Sequence, residues 1–290
     1  MQPINNKELV KQNKYLNHWI QLEKTRERPK YFRNISCVDF LDFRRKISDQ
    51  DNNFVQKIVC SLYNGDFYII KNAFSRKYVE NLKIKAHKYR MSNPQSFHKM
   101  RENCPDFHRW IDNDIAKKYS IKAVKHSAYF FPWNDDPLNI FEDIWERWRP
   151  LKFLGGFSWN EYENNTPKDG VVDRIQIVRY PPGTGQIEPH SDPYLNQRFF
   201  ISTYLSKKGK DYVGGGVYLV GNKGEKMDIE NQIDIGDMSI GYSTLIHGVD
   251  PVDINSEPDI NKTDGRWFLG LYSNDSDHKK DRHTAKPDKV

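Results

Sequence analysis

The chain has 290 residues, with 45 Lys and Arg against 39 Asp and Glu and a formal net charge of +6. Hydrophobic content of 37% and aromatic content of 13% allow a substantial core in one elaborated domain, and Cys37, Cys60 and Cys104 are too dispersed for a disulfide framework or a zinc ribbon. No apolar run is long enough to span a bilayer, Met1 to Tyr15 lacks a signal-peptide core, and the basic residues are spread along the chain; membrane insertion, secretion and nucleic-acid binding are not expected, and a cytoplasmic protein is.

In chain order, Lys7 to Glu27 reads as a polar helix and Phe40 to Leu62 as a second helical stretch. Asp66 to Phe74 reads as a strand, and Ser75 is placed to cap a helix from Arg76 to Arg90 whose Tyr78, Val79, Leu82, Ile84 and Ala86 mark an amphipathic pattern. Between Met91 and Asp112 the pattern weakens, with turn signals at Asn93-Pro94 and Cys104-Pro105. An aromatic patch follows from Ala128 to Trp133, then an aromatic-rich helix from Leu138 to Trp148 that Pro150 should end, packed on a sheet. Asp173 to Tyr180 alternates as a strand does and stops at Pro181, Pro182, Gly183 and Gly185. The run Gly214 to Gly216 lacks the Gly-Lys-Ser/Thr ending of a phosphate loop and reads as a turn between strands. Near the end, Arg266 to Ser273 places Trp267, Leu269 and Leu271 on one face and Arg266, Phe268 and Tyr272 on the other.

The chemistry-bearing pattern is His190-x-Asp192 with His247 and Arg266 downstream. In an extended strand alternate side chains share a face, so His190 and Asp192 aim an imidazole and a carboxylate at one point. A second imidazole from His247 on a neighbouring strand would complete a facial set of two nitrogens and one oxygen, which suits ferrous iron with open positions. Arg266 would then anchor an acidic co-substrate. Of the other histidines, His87, His98, His108, His126, His278 and His283 show no ligand spacing among themselves and are assigned surface or core roles.

From Ile175 to Ser273 the chain resembles the Fe(II)/2-oxoglutarate-dependent dioxygenases, particularly their prolyl-hydroxylase-like branch. The matching text is Arg179-Tyr180 before a glycine turn, His190-x-Asp192, Tyr204-Leu205, Gly214-Gly215-Gly216-Val217-Tyr218-Leu219, Gly236-Asp237, His247-Gly248-Val249-x-Pro251-Val252 and Gly265-Arg266-Trp267. The resemblance implies a mainly β fold with a helical buttress around a double-stranded β-helix, a jelly-roll or cupin-like core. With the chain's own pattern and composition, this gives a helical extension over 1–60, the dioxygenase domain with supporting helices over 61–275, and a charged tail over 276–290 that is expected to be disordered. It also implies Fe(II) held by His190, Asp192 and His247, with 2-oxoglutarate and O2 as co-substrates. Arg266 would pair with the distal carboxylate of 2-oxoglutarate, for which its planar fork is suited, and Tyr180 would hydrogen-bond the same group. The polar insertion from Asp253 to Asp264 lengthens the usual spacing from His247 to Arg266 and leaves Lys262 as a competitor for that role.

The implied reaction is hydroxylation of an unactivated C–H bond, with release of succinate and CO2. Retention of Asp192 favours it over halogenation, while desaturation or ring closure would use the same machinery. A small or medium-sized metabolite is the expected substrate. A protein or peptidyl-residue hydroxylase is the alternative enzyme, and a barrel that binds without turnover is the alternative from another class. Ser158 to Gly170 and Asp253 to Asp264 are the candidate lids over the site.

Overall fold

The computed structural model describes residues 13–288. Asn13 caps the first helix, α1 (Lys14–Thr25), by accepting from the backbone N–H groups of Tyr15 and Leu16, and its amide also donates to the carbonyls of Phe153 and Phe157. The start of the polar helix expected from Lys7 lies outside the described residues. β1 (Asn34–Asp39) follows, then α2 (Phe40–Asp49) and α3 (Asn52–Tyr63). These two helices replace the single stretch read from Phe40 to Leu62. Asp39 caps one and Asp51 the other, and Gln50 between them adopts a left-handed conformation with φ of 48°. The N-terminal segment is also not wholly helical, because β1 pairs in parallel with β2 (Asp66–Lys71).

The Ser75 hydroxyl accepts from Tyr78 N–H at the start of α4 (Arg76–Ser92), as a helix cap should. After β3 (Phe107–Ile111), the short α5 (Asn113–Ala116) and β4 (Ala123–Phe130) comes α6 (Phe141–Leu154). Pro150 does not end α6 as expected. The helix forgoes one backbone hydrogen bond there and continues for another turn. Burial of Leu151, Phe153 and Leu154 and the pairing of Lys152 with Asp173 hold that turn in place.

Eight strands then run β5 (Val171–Tyr180), β6 (Gln186–Ser191), β7 (Phe199–Tyr204), β8 (Gly216–Val220), β9 (Lys226–Asp228), β10 (Met238–Tyr242), β11 (His247–Asp250) and β12 (Arg266–Asp275). They cross repeatedly between two antiparallel layers. One layer has the order β10-β7-β12-β5 and the other β6-β11-β8-β9, which is the winding of a double-stranded β-helix. β4 joins the layers at one edge, with Ala123 opposite Ile187 of β6 and Ala128 opposite Ile177 of β5. β2 and β1 extend the first layer beyond β10.

Alternation along β12 sorts the two sides of that layer. Trp267, Leu269 and Leu271 join the main core with Trp19, Tyr63, Trp148 and Leu151 of the helices, while Phe268 packs inside the barrel with Val178, Tyr180, Val249 and Val252. The helices therefore buttress the outer face, and the inner face is left to line a cavity.

The tail expected to be disordered is ordered over its described part. β13 (Lys286–Pro287) pairs with β6, setting Pro287 opposite His190. Asp275, fully buried, accepts from Asn196, Lys279 and both the backbone and the ring of His283. One buried carboxylate with that many donors offsets the entropy of ordering a charged segment, which composition alone does not reveal.

Candidate metal centre and its cavities

The antiparallel register of β6 and β11 sets His190 directly opposite His247, with ring centroids 4.4 Å apart. Asp192 lies just beyond β6, where its backbone N–H donates to the carbonyl of Ser243, 2.9 Å away. Its carboxylate oxygens stand 3.9 Å from Nε2 of His190 and 3.8 Å from Nε2 of His247. One candidate ligand atom from each residue lies within 4.8 Å of the others, and no further group of this kind occurs among the described residues.

The imidazoles are prepared for a cation. Nδ1 of His190 lies 2.9 Å from the Glu188 carbonyl, and Nδ1 of His247 lies 2.9 Å from the Leu245 carbonyl. A carbonyl only accepts, so each Nδ1 carries the proton and each Nε2 presents a bare lone pair. Burial, aided by the neighbouring His247, holds His190 well below the usual histidine range, so it is neutral and able to ligate. Phe200 stacks on His247 at 4.1 Å and fixes its ring. Burial raises the Asp192 carboxyl, and a cation at this point would favour its charged form. Two neutral nitrogens and a carboxylate on one side of a point, with a cavity on the other, fit a ferrous ion with open positions.

That inner cavity has a volume of about 50 Å³ and runs from the triad past Lys125, Tyr180 and Phe268 to Arg266. Arg266, 3% exposed, is the first residue of β12 and lies opposite Tyr180. Its Nε donates to the Glu230 carboxylate at 2.5 Å, and its guanidinium carbon sits 5.6 to 5.8 Å from the ring centres of Tyr180, Tyr204 and Phe268. Lys262 is not at the site: it is exposed and faces Asp259. The insertion leaves the register intact because buried Arg179 gathers the loop, donating to the carbonyls of Asp259, Ile260 and Asp264 and to the Asp264 carboxylate.

Two participants escaped the sequence reading. Glu230 is buried and binds Arg266 while accepting from Val217 N–H at 2.7 Å; Gly216, with φ of +119°, admits it, since a Cβ there would lie 2.5 Å from Glu230 Cγ. Tyr204, whose hydroxyl is 2.7 Å from Ser239 Oγ, flanks Arg266 as closely as Tyr180 does. The signal for Tyr204 was the matched Tyr204-Leu205 pair. Glu230 had none.

A larger outer cavity of about 440 Å³ opens from His190 and Asp192. Neither candidate lid lines it. Its walls come instead from Phe97 to Met100, from Tyr119 to Ala123, and from the tail at Arg282, Thr284 and Ala285. Among the other histidines, His108 and His126 do meet, with Nδ1 of one 3.0 Å from Nε2 of the other, in a buried position that suits a core role.

No protein-family model and no curated protein matches the sequence. Solved structures similar to the chain include a full-length Neurospora crassa protein in complex with alpha-KG and thymine, with 15% identity, a TM-score of 0.49, and coverage of 85% of this chain and 87% of that one. A Trichoplax adhaerens prolyl hydroxylase in complex with a hypoxia inducible factor peptide fragment has 14% identity, a TM-score of 0.47, and coverage of 80% and 90%. A Pseudomonas putida prolyl-4-hydroxylase has 12% identity, a TM-score of 0.43, and coverage of 71% and 91%. At such identities no residue role passes from one chain to another, so the roles of this chain's residues rest on its own side chains, set in the double-stranded β-helix that the motif order implied.

Proposed function

We propose that the chain is an Fe(II)/2-oxoglutarate-dependent oxygenase that hydroxylates a C–H bond of a small or medium-sized metabolite. The observation that carries this reading is the joint placement of the His190, Asp192 and His247 ligand atoms at one end of a buried cavity and Arg266 at the other. When bound, Fe(II) supplies dioxygen activation driven by oxidative decarboxylation of the keto acid, with succinate and CO2 released and one oxygen atom passed to the substrate.

The protein's residues do the rest. His190 and His247 offer Nε2, each ring oriented by its Nδ1 hydrogen bond to a backbone carbonyl, and Asp192 offers its carboxylate from a backbone anchored to Ser243. Arg266 receives the distal carboxylate of 2-oxoglutarate, and Tyr180 and Tyr204 enclose its guanidinium. Phe200, Val217, Val249 and Phe268 line the path between and exclude water. The outer cavity, entered past His190 and Asp192, has a volume within the range of small-molecule sites, which favours a metabolite over an extended peptide.

Anaerobic titration with Fe(II) and 2-oxoglutarate, followed by a succinate assay over a metabolite panel, tests this. Metal-dependent 2-oxoglutarate binding and substrate-stimulated succinate release are expected. Absence of any metal-dependent keto-acid binding would remove the oxygenase reading and leave a binding barrel.

A further inference from the structure

The outer cavity carries more positive charge than the proposed reaction requires. Arg174 on β5 and Lys125 on β4 both line it, and Lys125 also reaches the inner cavity. Arg174 lies between two aromatic rings, with its guanidinium carbon 5.5 Å from the centre of Tyr129 and 5.0 Å from that of Tyr272. This clamp fixes the plane of the guanidinium. Its Nη2 donates to the Gln176 side chain at a long 3.2 Å, and its Nε is buried with no partner among the described residues. The carboxylate whose field reaches both cations is Asp192, which the site above commits to the metal. The other acid of the cavity wall, Asp277, is already held by Arg282 and by the backbone N–H of Met100. A buried guanidinium donor without an acceptor costs stability, so a retained one points to an acceptor that arrives with a ligand.

Continuing from Tyr129 of that clamp, the wall is aromatic. Phe107, Tyr129 and Phe131 form a contiguous surface, with Phe107 4.7 Å from Tyr129 and 6.1 Å from Phe131 between ring centres. Arg266 sits at the far end of the inner cavity, so it is a separate anion site from Arg174.

We infer that the substrate carries an anionic group, a carboxylate or a phosphate, held by Arg174 with Lys125 in support, and an apolar or aromatic body that lies on the Phe107, Tyr129 and Phe131 wall beside the metal. The inference rests on the oxygenase reading and names the substrate class for that site. Arg174 is its specificity-determining residue, because an uncharged analogue would leave two cations without a counter-charge in a half-enclosed site.

The test is calorimetric binding, under anaerobic conditions, to protein first loaded with Fe(II) and saturating 2-oxoglutarate. The probes are 3-phenylpropanoate, its neutral amide 3-phenylpropanamide, and 2-phenylethyl phosphate. The expected result is that one of the anions binds at least about tenfold more tightly than the amide, roughly 1.4 kcal/mol. The stronger of the two identifies the anionic group. Arg174→Gln should bring that anion and the amide to within about twofold, and Lys125→Met should reduce the preference in part. Equal binding of acid, phosphate and amide overturns the inference on the unaltered protein, whatever the variants do. So does an anion preference that survives both substitutions, or no anion binding at all to the loaded protein. In each of these cases, intact Fe(II) and 2-oxoglutarate loading leaves the oxygenase reading standing. Failure of the loading step itself sinks that reading and the substrate class with it.

Discussion

Arg266 and Glu230 form a buried ion pair at the end of the inner cavity, with side chains 4% and 2% exposed and Nε to Oε1 at 2.5 Å. Replacing Arg266 with Met should therefore do two separable things. It leaves the Glu230 carboxylate buried without its cation, which costs about 3–5 kcal/mol for a pair broken from one side. In a chain of this size that corresponds to a melting temperature lower by roughly 10 °C. It also removes the group proposed to receive the distal carboxylate of 2-oxoglutarate. The double variant Arg266→Met with Glu230→Gln no longer buries a lone charge and keeps an oxygen for Val217 N–H, so most of the lost stability should return. Co-substrate affinity should not return, because a thioether cannot donate two parallel hydrogen bonds. Melting curves and anaerobic 2-oxoglutarate titrations on the wild type, both single variants and the double variant check both parts. A double variant as unstable as Arg266→Met would refute the ion-pair argument, and one that binds 2-oxoglutarate as tightly as wild type would refute the role given to Arg266.

Three other outcomes follow from the same structure. Asp192→Ala should lower Fe(II) affinity by at least about tenfold and abolish turnover, read by metal titration and succinate release; unchanged binding would mean that the metal sits elsewhere. Burial, with help from Arg90 and His108, pushes His126 down to about 2 from an unfolded value of 6.5, so the folded state refuses a proton that the unfolded chain accepts. Its stabilising effect is complete above the unfolded value and should be lost at about 1.4 kcal/mol per pH unit as pH falls below it. Chemical denaturation between pH 7 and 4 should show that slope, and an undiminished slope in His126→Gln would assign it to other groups. For Asp275, burial alone would raise the carboxyl, but the donors from His283, Lys279 and Asn196 prevail and hold it well below the ordinary range. Its contribution is present above the unfolded value of 3.8 and lost as pH falls through the folded one. Asp275→Asn should accordingly speed amide exchange in β13 and the tail at neutral pH without moving that of β10, and unchanged tail exchange would contradict the clamp.

Much of the barrel was legible because its signals are local. Alternation in Asp173 to Tyr180 and Arg266 to Ser273, glycine and proline at the turns, and the His-x-Asp step fix strand identity and which residues share a face, and these depend on neighbours within a few positions. The Ser75 cap and the split at Gln50 and Asp51 are local signals of the same kind. The helix runs past Pro150 because local backbone preference is outweighed there by burial of Leu151, Phe153 and Leu154, which depends on a sheet far away in sequence.

Sequence alone singled out His190, Asp192 and His247 as a candidate ligand set and Arg266 as a candidate anchor, together with the strand periodicity that could bring them together. Tertiary structure alone decided that Arg266 rather than Lys262 reaches the cavity, that Glu230 stands behind it, that the tail rather than the suspected lids walls the outer chamber, and that Arg174 and Lys125 share that chamber. The physical reason is the range of the interactions. Side-chain alternation is set by the backbone of one strand, whereas a buried charge finds its partner only after strands and loops distant in sequence have packed, and no short-range pattern encodes which carboxylate that will be.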